Sequence, residues 1–159
     1  MSVDAETIIR IRSFNRFYTQ KLGLLNQHYL GKYSLTEARV LFDINELGNC
    51  TAQQLSNRLD IDKSYLSRII KKFCKEGLVL RTESKEDRRI QVLELSDAGQ
   101  VVIQSLIDDS NRQLESQLMP LMPFDCEEIK KALDTIEFYF GGFEDYFKKK
   151  GGIKLWTLL

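Results

Sequence analysis

The sequence predicts a mainly helical fold with one small two-stranded sheet, and three observations support this prediction. Residues 62–77 read as a basic helix with an N-cap aspartate at its start and a glycine at its end. Two β-type runs, 78–82 and 90–95, follow and are joined by a charged segment. Residues 63–89 hold nine Lys or Arg and four Asp or Glu, in a chain of zero formal net charge. This is the outline of a winged helix, and its charge favours a polyanionic partner.

The basic helix has two different faces. At helical periodicity its apolar residues fall together, namely Leu66, Ile69, Ile70 and Phe73. The opposite face carries Ser64, Ser67, Arg68, Lys71 and Lys75. We therefore expect one face to pack on a core and the other to be offered to the partner.

Composition limits the remaining possibilities. A length of 159 residues with 43% hydrophobic residues suits one domain, or a small domain with an assembly element. The sequence has no long uncharged apolar run and no signal peptide, so we expect a cytoplasmic protein without membrane partners. Three cysteines and one histidine support neither a disulfide framework nor a metal site. We find no motif of an enzyme and expect no cofactor.

The N-terminal part predicts two helices before the basic one. Residues 4–30 have apolar and aromatic residues at helical spacing and should form an amphipathic helix with a wide apolar stripe. This helix is the main element of a predicted N-terminal dimerisation segment, 1–33. The next helix should be capped by Thr36 and end before Gly48. Its predicted inner residues are Ala38, Leu41, Ile44 and Leu47.

A short helix should then begin at Thr51, which forms a capping-box pattern with Gln54, while Cys50 packs as a small hydrophobic residue. Its predicted inner stripe is Ala52, Leu55 and Leu59. Asp60 tolerates a left-handed conformation and makes the tight turn into the basic helix. Two helices joined in this way form a helix-turn-helix, and residues 34–95 are the predicted DNA-binding domain.

Beyond the hairpin, Ser96 should cap a helix over 97–118 that has Val101, Val102, Leu106 and Leu118 on its apolar stripe. A capping-box pattern, Asp125 to Glu128, predicts the start of a last helix. Residues 96–147 carry a charge of −8, are expected to face away from DNA, and form the predicted C-terminal dimerisation helices. The basic and apolar tail, 148–159, is left without a predicted partner.

These stretches resemble the MarR (multiple antibiotic resistance regulator) family of winged-helix transcription factors. The resemblance is carried by SLTEARVLFDI, by CTAQQLSNRLDIDKSYLSRIIKKFCKEGLV and by the wing SKEDRRIQVLELSDAG, which together cover residues 34–99. Asp87-Arg88-Arg89, followed by a strand and Leu95-Ser96-x-x-Gly99, is its most specific motif.

The resemblance implies a homodimer built from the first and last helices that binds a near-palindromic double-stranded operator. It further implies recognition helices in successive major grooves, wing arginines in the minor groove, and repression that is relieved by a small ligand or by cysteine oxidation. The opening stretch also looks like the regulatory portion of fusions with N-acetyltransferases. One alternative to a ligand-released DNA-binding repressor is therefore a regulatory or interaction module of such a system that does not bind DNA. A second alternative is a thiol-based redox-sensing repressor.

The predicted contacts with DNA follow from the helix, the wing and this resemblance. Ser64, Tyr65, Ser67 and Arg68 should reach base edges, and Lys63, Lys71, Lys72 and Lys75 should approach the DNA from the same helix, with the last three toward phosphates. Thr51 should hold a phosphate at the start of the preceding helix. Arg88 and Arg89 should serve the minor groove or its phosphates, with Asp87 pairing with the Arg89 guanidinium to keep it extended.

The sequence singles out no effector-binding residue. His28, the one histidine, is interpreted as a surface or packed residue. Cys74 and Cys126 are interpreted as structural thiols, although Cys126 lies near a predicted helix start, where a thiol pKa is lowered.

Overall fold

The computed structural model describes residues 3–21, 31–84 and 86–141, and these form six helices and two strands. In chain order they are α1 (Ala5–Lys21), α2 (Leu35–Leu47), α3 (Ala52–Leu59), α4 (Lys63–Lys75), β1 (Val79–Glu83), β2 (Gln91–Leu95), α5 (Asp97–Leu118) and α6 (Pro123–Gly141). The described residues up to Arg112 form one compact unit, and those from Gln113 onward form a second. The predicted fold class, mainly helical with a two-stranded sheet, is confirmed.

A capping box begins α2, although not at the predicted residue. The Ser34 hydroxyl accepts a hydrogen bond from the Glu37 N–H, and the Glu37 carboxylate accepts one from the Ser34 N–H at 3.0 Å. Thr36 is therefore the wrong choice of cap, because it already lies inside the helix. The sequence holds the correct signal, since a glutamate stands three residues after Ser34 and an arginine three residues after Thr36. The predicted end is confirmed, because α2 stops at Leu47, just before Gly48.

The helix-turn-helix forms as predicted from its local residues. Thr51 and Gln54 make a reciprocal capping box at the start of α3. Asp60, at the end of α3, has a left-handed backbone with φ of 50°. The Asp62 carboxylate then caps α4 by accepting a hydrogen bond from the Tyr65 N–H at 2.9 Å. Gly77 follows α4 with a φ of 73°, which glycine adopts without strain.

The wing is an antiparallel hairpin of β1 and β2, in register from Val79 opposite Leu95 to Glu83 opposite Gln91. Both strands begin one residue later than predicted. The loop between α2 and α3 joins the sheet, because the Cys50 and Leu93 backbones exchange two hydrogen bonds, of 3.1 and 2.7 Å. The wing is thus fastened to the helices that precede it.

The core lies in the first unit, between α2, α3, α4, the sheet and the first half of α5. Its buried apolar residues are Tyr33, Ala38, Val40, Leu41, Ile44, Cys50, Leu55, Leu66, Ile69, Ile70, Phe73, Leu78, Val79, Leu93, Ile103 and Leu106. All four predicted inner residues of the basic helix are among them. Four residues predicted on the apolar stripes of α2, α3 and α5 are instead exposed, namely Leu47, Ala52, Val101 and Leu118. These residues lie near helix ends or on an outer helix face, where the helix does not contact the core.

The two long helices start differently. At α5, Ser96 is the cap as predicted, since its hydroxyl accepts a hydrogen bond from the Gly99 N–H at 3.0 Å. At α6, the predicted capping box is wrong, because the helix already begins at Pro123. Proline suits a first helical position, where its missing N–H has no partner to lose. Asp125 instead reaches back from inside the helix and accepts a hydrogen bond from the Met122 N–H at 2.9 Å.

Helices α1 and α6 contribute no buried residue to the described structure. Exposed apolar side chains on α1 are Ile8, Ile9, Phe14, Phe17 and Tyr18, and those on α6 are Phe124, Ile129, Leu133, Ile136, Tyr139 and Phe140. Residues 22–30 of the predicted first helix and the tail, 148–159, lie outside the described residues. A dimerisation role for the terminal segments stays a prediction. None of the helices described is long and apolar enough to cross a membrane.

Candidate nucleic-acid interface

Helix α4 offers one polar face to solvent. Leu66, Ile69, Ile70 and Phe73 are buried on its inner side. The opposite side carries seven exposed residues, which we call the recognition face: Lys63, Ser64, Tyr65, Ser67, Arg68, Lys71 and Lys75. The predicted division of this helix into a packed face and an offered face is therefore present in the structure.

Tyr65 and Arg68 form a pair on the recognition face. The Arg68 guanidinium lies over the Tyr65 ring, 5.6 Å from the ring centroid. This cation–π contact restricts the arginine while leaving its N–H donors free to reach outward. An arginine held in this way suits the bidentate recognition of a guanine edge.

Lys72 lies at the edge of this face, and its predicted contact with phosphate stays a prediction. Its ammonium donates to the Glu37 carboxylate at 2.6 Å and lies 5.7 Å from the centre of the Tyr33 ring. The hydrogen bond to Glu37 raises the pKa of Lys72. Burial acts to raise the pKa of Glu37, but the bonds from Lys72 and Ser34 outweigh it and lower that pKa. Lys72 therefore ties α4 to α2.

Arg81, on β1, is a candidate contact that sequence reasoning missed. A depression of about 160 Å³ brings it together with Lys63 and Ser67 of the recognition face and with Ala52 and Gln53 of α3. The available signal is strand alternation, because Arg81 shares a strand face with Val79, which is buried beside α4. Arg81 adds a cation between α4 and the wing.

Side-chain hydrogen bonds shape the wing tip. The Ser84 hydroxyl accepts from the Glu86 N–H at 3.2 Å, and the Asp87 carboxylate accepts from the Arg89 N–H at 2.9 Å. The predicted pairing of Asp87 with the Arg89 guanidinium is thus replaced by a bond to the Arg89 backbone. Asp87 shapes the turn itself rather than the side chain that follows.

The cations of the interface are available to a partner. Arg88 and Arg89 are exposed on the wing tip, as Arg68 and Lys71 are on α4. These four side chains make no ion pair with any residue that the structure describes. Unneutralised cations on two adjacent elements produce a positive potential, which attracts phosphate groups.

Thr51 lies at the start of α3, and its hydroxyl accepts a hydrogen bond from the Gln54 N–H at 3.2 Å. As an N-cap it leaves its O–H hydrogen free to donate. Its contact with a phosphate stays a prediction.

The cysteines differ in their surroundings. Cys50 is buried, and burial together with the nearby charge of Asp43 raises the pKa of its thiol to about 11. A thiol in that state is a poor nucleophile and a poor redox sensor. Cys74 and Cys126 are half-buried. His28 lies outside the described residues, and the described part of the chain holds no cluster of side chains suited to a metal ion.

Comparison with known proteins shows what these elements are similar to. Residues 33–91 match the MarR family. The chain is 22% identical over 103 residues to the uncharacterized HTH-type transcriptional regulator YfiV of Bacillus subtilis, and the match covers 65% of this chain and 64% of that protein. It is 25% identical over 139 residues to YpoP, an uncharacterized HTH-type transcriptional regulator of the same organism, covering 87% of this chain and 91% of YpoP.

The fold is that of solved MarR structures. The crystal structure of a mutant MarR from E. coli complexed with operator DNA superposes with a TM-score of 0.66 at 19% identity, covering 86% of this chain and 99% of that one. At this identity the likeness establishes the fold. Together with the match at residues 33–91, it shows that the helix-turn-helix and the adjoining hairpin form a winged helix of the MarR type.

Proposed function

We propose that this protein is a transcriptional regulator that binds double-stranded DNA sequence-specifically as a homodimer, represses transcription from a near-palindromic operator and is released by a small ligand. The observation that carries the proposal is the recognition face of α4, whose exposed cations, like those of the wing, make no ion pair with a described residue. It is supported by the complex of MarR with operator DNA, whose fold this chain shares.

Within the recognition face, position along α4 separates two kinds of contact. Ser64, Tyr65, Ser67 and Arg68 occupy the N-terminal half of the helix, from which side chains reach base edges in the major groove. Lys71 and Lys75 lie further along, and suit phosphates. We extend the phosphate-binding set to Arg81 and keep Thr51 in it, and we assign Arg88 and Arg89 to the adjacent minor groove.

Exposed apolar side chains on the terminal helices support dimerisation. Phe14 is 42% exposed, Phe17 60% and Phe140 71%. Aromatic surface of this extent is rarely left in water by a monomer, and a second copy is the partner that every cell expressing the protein supplies. Sedimentation at micromolar concentration should therefore show a dimer, and a stable monomer would contradict this part of the proposal.

An open surface pocket offers a place for the effector. It has a volume of about 450 Å³, within the usual range for small-molecule sites. It is lined by Gly31, Lys32, Tyr33, Glu76, Leu78, Val102, Ser105, Leu106 and Asp109. Tyr33 packs edge-to-face on Phe73 of α4, with 5.9 Å between ring centroids. A ligand that displaces Tyr33 would therefore act directly on the recognition helix.

Paired substitutions on α4 test the DNA-binding role. The target is a duplex recovered by selection from a random-sequence library, titrated at several salt concentrations. Arg68→Ala should weaken binding and relax base preference by about 1–3 kcal/mol at its contacted position. Lys71→Gln should weaken all sequences alike and reduce the salt slope by about 1.

Lys72→Gln is the matched control, since Lys72 lies next to Lys71 but is engaged with Glu37. We expect it to leave the salt slope unchanged. If Lys71→Gln and Lys72→Gln had the same effect, the assignment of the recognition face would be wrong. Unchanged affinities for all three variants would refute DNA binding through α4.

The two alternatives find less support. The raised thiol pKa at Cys50 weakens the thiol-based redox sensor at that residue. A module that had lost DNA binding would have no reason to keep Arg68, Arg88 and Arg89 exposed and unpaired. The likeness of residues 33–91 to the MarR family also favours a regulator without enzymatic activity.

A further inference from the structure

Asp43 of α2 is a buried carboxylate that the interface described above does not use. Its side chain is 1% exposed. The Oδ1 atom lies 3.5 Å from Nε of Arg39 and 3.4 Å from Nε of Arg58. The Oδ2 atom is buried without a hydrogen-bond partner among the described residues. The Arg58 guanidinium also contacts the carboxylate of Glu46.

A buried carboxylate is costly, because the charge loses its water and regains only what its partners supply. An apolar side chain of similar size is often equally stabilising or better at such a site. The benefit of Asp43 is therefore not simple burial. What it supplies is a directed link, since Arg39 lies on α2 itself whereas Arg58 lies on α3.

Helix α3 is short, and the Cys50–Leu93 backbone bonds fix only its start. It has eight residues, of which only Leu55 and Ser56 are buried, with Leu59 half-buried. Leucine contacts set the distance between two helices but allow rotation and sliding. The ion pair at Arg58, one residue before the end of α3, restrains both motions.

The end of α3 determines where α4 begins. The turn between them is closed by two bonds, from the Ser56 hydroxyl to the Ile61 carbonyl at 3.0 Å and from the Ile61 N–H to the Ser56 carbonyl at 3.3 Å. Since this turn is rigid and short, a shift of α3 is passed to the first residues of α4. Those residues carry the proposed base contacts.

We propose that Asp43 is a positioning residue for DNA recognition, which holds α3, and through the turn α4, in place on α2 by binding Arg58. The proposal rests on the DNA-binding function inferred above. Asp43 itself contacts no DNA, and its negative charge opposes binding to a polyanion. If electrostatic repulsion dominates, loss of that charge should tighten DNA binding. If positioning dominates, the same loss should weaken DNA binding.

Three substitutions separate these effects in the full-length protein. Asp43→Asn keeps the shape and removes the charge, and Arg58→Met removes the link between helices. Arg39→Met is the matched control, because it removes an arginine from the same carboxylate without separating α2 from α3. The double variant Asp43→Asn/Arg58→Met measures coupling between the two positions.

The first readout is amide hydrogen exchange, which needs no DNA. Asp43→Asn and Arg58→Met should speed exchange in α3 and the first turn of α4 by about tenfold or more, and Arg39→Met should not. Equal exchange in wild type and both variants would overturn the positioning role. This readout decides the inference even if the wild type were found not to bind DNA, a result that would refute only the proposed function.

The second readout is titration of the selected duplex at several salt concentrations. Asp43→Asn and Arg58→Met should each weaken binding by about tenfold, with the double variant no weaker than the weaker single one. The salt slope should not change, since neither side chain contacts phosphate in this account. Tighter binding by Asp43→Asn would contradict the proposal. A salt slope reduced by about 1 for Arg58→Met alone would also contradict it and would assign Arg58 to a phosphate.

Discussion

Gly99, in the first turn of α5, provides the sharpest test of the packing. A Cβ atom placed on Gly99 would lie 2.1 Å from the Leu78 carbonyl oxygen, 3.1 Å from the Leu78 carbonyl carbon and 3.3 Å from Cβ of Leu95. Carbon and oxygen atoms in contact are normally separated by about 3.3 Å or more, so this methyl group would overlap the carbonyl by about 1 Å. Gly99 is thus required by close approach between the start of α5 and the residue preceding β1.

The overlap cannot be relieved by a side-chain rotation. The Leu78 carbonyl is a backbone group that accepts a hydrogen bond from the Ser96 N–H at 2.9 Å, and the Ser96 hydroxyl donates to the Gly77 carbonyl at 2.6 Å. Overpacking of a tight site costs about 1–3 kcal/mol and sometimes more. We expect Gly99→Ala to lie at the upper end, about 3 kcal/mol, because backbone must move. For a chain of this size that lowers Tm by about 6–12 °C.

Thermal unfolding followed by circular dichroism measures this effect, with Gly141→Ala as the control. Gly141 ends α6, and a methyl group added there would have none of the described residues within 4 Å, so its replacement by alanine should be neutral or slightly stabilising. Gly48→Ala should fall between the two, because the site is open but φ is +68°. If Gly99→Ala unfolded at the wild-type temperature, the close packing of α5 on the wing would be refuted.

Three further predictions concern the wing, the buried thiol and pH. Asp87→Ala should weaken binding of the selected duplex by about fivefold, which is the equivalent of one net hydrogen bond. Asp87→Asn keeps the acceptor for the Arg89 N–H and should bind at least as well as wild type. If both variants bound more tightly, Asp87 would act only as a repulsive charge. Cys50→Ser should lower Tm but leave DNA binding unchanged, both before and after peroxide treatment. If peroxide altered DNA binding of the wild type but not of this variant, Cys50 would be a redox sensor. The pKa of Glu37 in the folded protein is lowered from 4.5, so its stabilising contribution is present above pH 4.5 and is lost as the pH falls through the folded pKa. Glu37→Gln should therefore reduce the fall in unfolding free energy at acid pH. An unchanged fall would contradict the pairing with Lys72.

Features fixed by neighbouring residues could be predicted from the sequence. The caps at Thr51, Asp62 and Ser96, the left-handed Asp60 and the glycine after α4 each depend on a few adjacent residues, and all are present. The four buried residues of α4 follow equally from helical periodicity alone. Local chemistry therefore determines most of the fold and the recognition face.

The predictions fail where two signals compete nearby in sequence. Ser34 and Thr36 are both good caps, and the choice depends on the reciprocal glutamate at position 37. Asp125 shows a capping-box pattern, but Pro123 has already begun the helix. Periodicity places Val101 on an inner stripe, yet it is 71% exposed, because the core contacts α5 through Ile103 and Leu106.

Long-range electrostatics could not be inferred from the sequence at all. Sequence position assigns Lys72 to DNA because it lies between other cations, and only the fold brings Glu37 to it from 35 residues away. The burial of Asp43 depends on Arg58 of another helix in the same way. From the sequence alone, a charged side chain on a helix is predicted to be exposed, because the position of its ion-pair partner is not known.

Binding of the wild-type protein to DNA, measured across salt concentrations, tests the central claim most directly. A selected duplex and a random duplex of equal length are each titrated by fluorescence anisotropy at several salt concentrations. The account predicts affinity for the selected duplex at least about 10³ higher than for the random one, with both falling linearly in log–log form as salt rises. Equal affinity for the two duplexes, or binding that does not respond to salt, would contradict sequence-specific recognition through the cationic face of α4 and the wing.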